Sequence, residues 1–405
     1  MPTRREFLSA SVPVAAAVTT QEAWAQQAGR AAPRGSDKKI RMAVVGGGFG
    51  STFHWHEHPQ CVVTAVTDLY PERRQRLRDA YRCDNVYNSM EDMLKKRNDL
   101  DAIAIFTGVP DHVRHVEMCM NHGLHVVSAV PACQTLEEAQ RLKEIKEKTG
   151  LKYMMAESSY YQPACTYARN LFREGGFGEL FYSEVEYYHD YNIDKEMRDK
   201  KSFFFYNPDG TRSWRAGGAP MSYPTHAIAF VTGVTKERMA SVACLGWAPN
   251  HPFYRQRQNQ YHNPFANEVA LMQTDRGHIV RCNIFWQIAA GGERAQWFGE
   301  KGSLYMDVSG VHPDTWQERY GKPAPIQFPE YWKSDMLPEA MRHPSGHGGS
   351  AVFISAEFIN ALVENREPEC DLYESLAMTV PGIVAQQSAL KNGEQMKVPR
   401  FEKSA

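Results

Sequence analysis

Arg41-Met42-Ala43-Val44-Val45-Gly46-Gly47-Gly48-Phe49-Gly50-Ser51 decides the fold. Arg41 to Val45 is an apolar run of strand type, and the glycines behind it allow a tight turn and a close backbone approach to a phosphate. The spacing predicts that the Gly46-x-Gly48 core opens a short helix whose N–H groups and positive end suit a pyrophosphate. Ser51, in the third small position, still permits close packing. Asp68 lies about twenty residues on, at the end of the second apolar run, where a carboxylate meets an adenosine ribose diol. An acid there favours NAD over NADP, and Arg73 and Arg74 read as a solvated first helix turn.

Outward from this loop the pattern repeats. Strand-like runs at Arg41 to Val45, Val62 to Thr67, Ala102 to Phe106 and Val126 to Ala129 alternate with helical stretches at Pro71 to Arg82, Met90 to Arg97, His112 to His122 and Leu136 to Thr149. That alternation is the signature of a doubly wound parallel sheet. Beyond Tyr153 the rhythm changes. A helix at Pro163 to Arg173 precedes strands at Phe181 to Tyr188, Ser241 to Leu245, Glu268 to Gln273, His278 to Phe285, Ala295 to Gly299 and Ser303 to Asp307. An irregular excursion from Gly310 to His343 and closing helices at Ala351 to Asn365 and Leu372 to Lys391 follow. The expected fold is therefore α/β: an N-terminal Rossmann domain, 39–155, and a C-terminal α+β domain, 156–405, with an open, mainly antiparallel sheet.

Ahead of the first strand stands a different signal. Thr3-Arg4-Arg5-Glu6-Phe7-Leu8, a mildly apolar Phe7 to Val18 and the small-x-small Ala23-Trp24-Ala25 read as a twin-arginine leader over 1–25, cleaved near Ala25. Residues 26–38 read as a linker. The leader implies a periplasmic or other extracytoplasmic address. A nicotinamide enzyme sent there loses cytoplasmic recycling, so either it has an unusual electron partner or its chemistry restores the cofactor.

Composition narrows the partners. With 405 residues and 42% hydrophobic content the chain can bury two cores, and a net charge of -1 leaves no footprint for nucleic acid or anionic lipid. Small molecules fit better. Eight cysteines without a C-x-x-C pair argue against zinc or a redox dithiol. His54, His56 and His58 alternate but sit just after the nucleotide loop, so no metal is expected. No stretch has the length and apolarity of a membrane span.

Further segments resemble the Gfo/Idh/MocA oxidoreductase superfamily: the loop running into His54, Thr107-x-x-x-x-His112, Gly123-x-His125-Val126 leading to Ala129-Val130-Pro131, and Gly217-Gly218 ahead of His226. Typical dehydrogenases of that superfamily carry Glu-Lys-Pro where this chain has Ala129-Val130-Pro131, and Asp where it has Ser222. Loss of the lysine departs from an ordinary alcohol dehydrogenase site. Glycosyl hydrolase family 109, known for alpha-N-acetylgalactosaminidase activity, is more similar: Val130-Pro131-Ala132, Met154-Met155-Ala156-Glu157-Ser158-Ser159-Tyr160-Tyr161, Trp214-Arg215, Tyr223-Pro224-Thr225-His226 and Gly346-His347-Gly348-Gly349 match its motifs. Its Glu before Val-Pro is Ala129 here, and its Asn after the Glu is Ser158, so the sugar is not carried over.

The resemblance implies a bound NAD held by Gly46, Gly48, Phe49, Gly50, Asp68, Thr107, His112, Ala129, Val130, Pro131 and Ser158. It implies a glycoside or sugar held by Trp214, Arg215, Tyr223, His226 and His347. In such a cycle a ring carbon, commonly C3, is oxidised, the acidified neighbouring C–H is removed, the aglycone leaves, water adds and the cofactor is restored. His226 is the candidate for the hydroxyl proton and Tyr223 binds the same oxygen. Tyr161 is the candidate base at carbon; with a free pKa near 10 it needs positive charge close by, such as Arg215 or the nicotinamide ring. A net sugar dehydrogenase and a non-catalytic binding protein on this scaffold remain the competing readings. Exposed sheet faces commonly pair in the superfamily, so a homo-oligomer is compatible with the chain.

Overall fold

Strand β1 (Ile40–Val45) buries its last four residues and lies between β2 (Cys61–Thr67) and β4 (Ala102–Ile105). This is the centre of a six-stranded, all-parallel sheet of order β3-β2-β1-β4-β5-β6, in which β3 is Val86–Tyr87, β5 His125–Ser128 and β6 Tyr153–Met155. The computed structural model describes residues 39–199, 205–255, 259–306 and 328–404. The leader and linker lie outside them, as does much of the excursion after Gly310.

The helices of this half, α1 (Pro71–Tyr81), α2 (Met90–Lys96), α3 (His112–Asn121) and α4 (Leu136–Thr149), fall where the periodicity places them. Their ends follow capping chemistry: Ser89 and Thr135 accept the N–H groups of Asp92 and Glu138, and Gly150 closes α4 at φ +65°. The strand order reverses between β1 and β4, so the crevice beyond their carboxyl ends is where such a sheet binds a ligand.

The second half contains α5 (Pro163–Arg173), β7 (Leu180–His189), α6 (Ile193–Asp199), α7 (Thr225–Thr235), β8 (Met239–Trp247), α8 (Pro252–Arg255), β9 (Asn267–Thr274), β10 (Ile279–Phe285), β11 (Gly291–Gly299), β12 (Ser303–Tyr305), α9 (Ser350–Val363), α10 (Leu372–Leu390) and β13 (Met396–Lys397). Its seven strands run β12-β11-β7-β10-β9-β8-β13. The sheet is mixed: β7 and β10 pair in parallel, Tyr182 opposite Ile279, while the other neighbours are antiparallel. Helix α7, buried at every residue, packs beneath it. The opposite face is open, with Leu245, Trp247, Val269 and Leu271 exposed.

One continuous apolar core joins the two sheets. Helix α10 packs against α4, β6, α7 and β8, and Thr379 on it accepts the Ala132 N–H at 3.3 Å while Cys370 just before it accepts that of Met155 at 3.1 Å. All eight cysteines are buried free thiols. Among the described residues, no helix is long and apolar enough to cross a membrane.

Glu268, on β9, is fully buried and accepts the Met221 N–H at 2.6 Å, which fixes the turn ahead of Tyr223 and His226. Burial pushes its carboxyl up to about 8 against the lowering effect of that hydrogen bond. The folded chain therefore holds a proton that the unfolded chain has already lost, and stability falls as pH rises from the ordinary carboxyl range through about 8. Glu268→Gln, nearly isosteric and uncharged, is expected to remove this loss. Thermal denaturation should show the variant gaining on the wild type by a few degrees between pH 6 and 9; parallel melting-temperature curves would contradict the assignment.

Candidate active site

The nucleotide loop is built by exclusion. Gly46 has φ +95°, and a Cβ there would stand 2.3 Å from the Phe106 carbonyl oxygen; at Gly47 it would stand 2.1 Å from that of Arg73. Gly50 packs against the Phe106 ring with no room for a methyl group, a Cβ there meeting it at 2.7 Å. The helix expected after the loop is only a three-residue turn, Gly50–Thr52, so any phosphate contact comes from loop N–H groups and not from a helix end. Asp68 sits beside the loop because Thr67 pairs with Val45 in register. Its two oxygens accept Gly47 N–H at 2.7 Å and Tyr70 N–H at 2.8 Å, which leaves lone pairs for a ribose diol. The loop and Asp68 thus fit a dinucleotide. Phe49 lies edge-on to Phe53, Phe106 and His347, the last at 4.9 Å between ring centroids.

His112 does not face this crevice. It is completely buried, with Nδ1 2.9 Å from the Pro131 carbonyl and Nε2 3.2 Å from that of Thr107, and burial lowers its pKa to about 4. It is a neutral bracket tying the loop after β4 to the buried Ala129-Val130-Pro131 turn after β5, which corrects its assignment as a cofactor contact. The Thr107 hydroxyl is likewise engaged, with His115 Nδ1 at 3.0 Å. Ser158 is buried at the start of the turn that carries Ser159.

Chemistry concentrates where β6 ends. Glu157, fully buried, faces His226 at the start of α7, with Oε1 2.7 Å from His226 Nδ1. Burial pulls the imidazole down, yet the adjacent carboxylate outweighs it and holds the pKa at about 9. Burial likewise tends to raise Glu157, but His226 draws it below the usual carboxylate range. Ser159 N–H donates to Glu157 at 2.8 Å, and Ser159 Oγ lies 3.3 Å from His226 Nδ1 and donates to Glu293 at 2.9 Å. Gln162 also donates to Glu293, whose carboxyl burial raises to about 7 despite the opposing pull of His226. Arg169 holds the frame by donating from Nε to Gly233 O at 2.5 Å and from Nη2 to Tyr160 O at 2.6 Å, so the turn and α7 cannot separate.

With Nδ1 taken, Nε2 is the nitrogen His226 offers to a substrate. Around it stand Tyr187 at 4.7 Å and Tyr223 at 5.4 Å between ring centroids, backed by Trp286 at 5.8 and 6.2 Å from those rings. Burial pushes the Tyr223 hydroxyl up to about 12, moderated by the nearby Arg215 guanidinium. Arg215 also lies over the Trp214 ring at 4.2 Å, and Trp214 reaches across to Gly108, where a Cβ would meet its ring at 2.7 Å. Trp214, Arg215, Tyr223 and His226 therefore converge between the two halves. His347 approaches the same place through Phe49, in a loop where Gly348 lies near Gln162.

Tyr161 points elsewhere. It is buried, its hydroxyl meets no hydrogen-bond partner among the described residues, and burial together with Glu357 and Glu369 raises its pKa well above the ordinary value. Burial and these carboxylates outweigh the nearby Arg169 guanidinium, the reverse of what a base there needs. The tyrosine standing beside His226 is Tyr187, half-buried at the aromatic end of β7. Glu157 and Glu293 were also not assigned from sequence. Glu157 sits inside the quoted Met-Met-x-Glu motif, so that signal was present; Glu293 carries no local signal, because only the sheet brings β11 beside the Ser159 turn.

A profile described as oxidoreductase family, NAD-binding Rossmann fold, matches residues 40–157, and one described as glycosyl hydrolase 109, C-terminal domain, matches 283–405. The NAD-binding region thus matches the Gfo/Idh/MocA oxidoreductase family, and the C-terminal region matches glycosyl hydrolase family 109. It is an enzyme, and its cofactor is NAD. It is 23% identical to a glycosyl hydrolase family 109 protein of Streptomyces coelicolor over 92% of this chain and 85% of that one. It is 34% identical to an alpha-N-acetylgalactosaminidase of Bacteroides fragilis over 33% of this chain and 31% of that one. Among solved structures, levoglucosan dehydrogenase in complex with NADH and levoglucosan superposes with a TM-score of 0.71 at 15% identity, over 90% of this chain and 100% of that one. Scyllo-inositol dehydrogenase from Lactobacillus casei with bound NAD(H) and scyllo-inositol gives 0.66 at 17% identity, covering 89% and 99% of the two chains.

Glu157→Gln removes the main carboxylate that raises His226 and leaves burial, which lowers it, against the weaker pull of Glu293. The His226 titration, followed by imidazole NMR, is expected to fall from about 9 to below the ordinary histidine range. An unchanged midpoint would sink the pairing.

Proposed function

We propose that this enzyme holds NAD permanently and cleaves glycosides by a redox-neutral elimination. The observation that carries the reading is the buried Glu157–His226 pair beside Tyr187 and Tyr223, in a chain that lacks the superfamily's lysine and has Val130 in its place. Bound NAD supplies the acceptor for one hydride and its donor later in the same turnover. His226 Nε2 takes the proton of the sugar hydroxyl being oxidised, at C3, and Glu157 stabilises the imidazolium. Tyr223, kept neutral by burial, donates to the same oxygen.

The resulting ketone acidifies the neighbouring C–H. Tyr187, as phenolate after passing its own proton to the neighbouring Glu293, removes that proton as the bond to the aglycone breaks, and water adds to the enone before the steps run back. Burial raises Tyr187 well above the ordinary phenol value, so it needs positive charge to act as a base. The imidazolium formed at His226 in the first step supplies it at the right moment. Glu293, with its carboxyl near 7 and joined to His226 through Ser159, is suited to pass protons between the pair and solvent.

Such a cycle needs no external oxidant. It accords with a twin-arginine leader that would deliver the folded, NAD-loaded protein outside the cytoplasm. A net sugar dehydrogenase is the competing reading, favoured by the dehydrogenase folds found among solved structures.

Purified enzyme mixed with a panel of aryl glycosides and no added cofactor should release phenol without accumulating NADH. Release that requires stoichiometric NAD, or NADH rising with ketosugar, would establish the dehydrogenase instead. Tyr187→Phe should lower aglycone release by ~10²–10⁴-fold while leaving single-turnover oxidation of the sugar intact. The oxidation rate should climb with pH toward about 9, as neutral His226 becomes available.

A further inference from the structure

Outside the cleft, one cluster of metal-ligating side chains is not used by this mechanism. His54 and Glu57 are three apart across the short turn Trp55–Glu57, which places them on one face. His54 Nδ1 lies 3.1 Å from Glu57 Oε1, and His343 Nε2, from far along the chain, lies 2.6 Å from Glu57 Oε2. The two imidazole rings are 4.9 Å apart, and one ligand atom from each of the three residues falls within 4.8 Å of the others. The alternating histidines do not bind together as a sequence reading would pair them. His58 is buried and points away, its Nδ1 accepting Gln60 N–H and its Nε2 on Asn360. Glu57, which stands between His56 and His58 in the chain, is the carboxylate that His54 and His343 share.

The orientation of His343 makes this more than proximity. Its Nδ1 lies 2.9 Å from the Pro344 carbonyl, so the hydrogen on Nδ1 is committed there. Nε2 then presents a lone pair to a carboxylate oxygen, and something positive must lie between them. A second proton on His343 would serve, as would a metal ion. A ligating histidine whose far N–H is fixed by a carbonyl is the usual outer-shell arrangement of a metal site. The His54 backbone is anchored as well, its N–H donating to Ser355 Oγ at 3.0 Å.

We propose that His54, Glu57 and His343 bind one divalent ion of the zinc class. Two imidazole nitrogens and one carboxylate, without thiolate, suit such an ion, with water completing the shell. Bonds of about 2.0–2.1 Å need ligand atoms roughly 3.3 Å apart, so the His54–Glu57 contact at 3.1 Å already nearly fits, while His343 Nε2, 2.6 Å from Glu57, has to move outward to admit the ion. His56 Nε2, 4.0 Å from the same carboxylate, is the nearest further donor. The ion would not touch the sugar. It joins the segment immediately after the nucleotide loop to the loop carrying His347, and so clamps the cover of the cleft onto the NAD half.

The test uses the whole chain without a histidine tag, stripped with chelator and titrated with zinc by calorimetry and with cobalt by visible absorption. One ion per chain is expected, with a higher melting temperature and slower proteolysis around residues 341–349. Glu57→Gln and His343→Ala should each weaken binding by about 100-fold or more, while His122→Ala, an exposed histidine elsewhere, should not. His343→Gln gives a second, milder variant should the alanine chain fail to fold. Absence of stoichiometric binding by the wild type, or binding unaltered in both Glu57→Gln and the His343 variant that folds, would overturn the site.

Discussion

A carboxylate and an imidazole buried together at 2.7 Å set the terms for the rest of this structure. Either charge alone in that place would be costly, because burial strips it of water. Together they require a frame that keeps β6, the Ser159 turn and α7 in fixed relation, and the buried Arg169 guanidinium supplies it through two backbone carbonyls. The aromatic residues around the pair follow from the same need. They exclude water, which strengthens the ion pair, and they offer flat apolar faces with hydroxyls at their edges, as a sugar ring demands.

The site also shows how a lost residue is replaced in space and not in sequence. Typical relatives have an aspartate four residues before the histidine, on the same turn. Here that position is Ser222, whose hydroxyl turns back onto the Ala219 carbonyl, and the histidine draws its carboxylate from the end of β6 instead. With Val130 buried where a lysine would stand, the cations beside Tyr223 among the described residues include the imidazolium of His226 and Arg215. One is switchable and the other is permanent. That division suits chemistry in which a proton is lent and returned.

How much of this was legible follows the range of the interactions. The Rossmann half was readable because its strands are continuous apolar runs buried on both faces, its helices are capped by adjacent residues, and the glycine loop and Asp68 are local motifs. The strand β3, two residues long, and β6 escaped because neither has length enough to show a period. In the second half the strands were found, yet the parallel β7–β10 pair is a matter of chain path and leaves no local trace. The site divided the same way. His226, Tyr223, Trp214 and Arg215 were found through motifs and do converge, whereas Tyr161, chosen from its motif, faces carboxylates, and Tyr187 and Glu293 enter only through the sheet.

Helix α10 has a consequence for how ligands reach the cleft. Because it is packed simultaneously against the parallel sheet's last strand, the helix before that strand and the second sheet, the two halves share one apolar interior. Rotating them apart would expose that interior to water, so the cleft is no jaw. Traffic in and out has to pass along its rim, where, among the described residues, the Gly346–Gly349 stretch lies against the Phe49 ring, the edge of Gln162 and Trp332. In the cycle proposed above, that stretch would be the hatch through which sugars come and go while the dinucleotide beneath it stays in place.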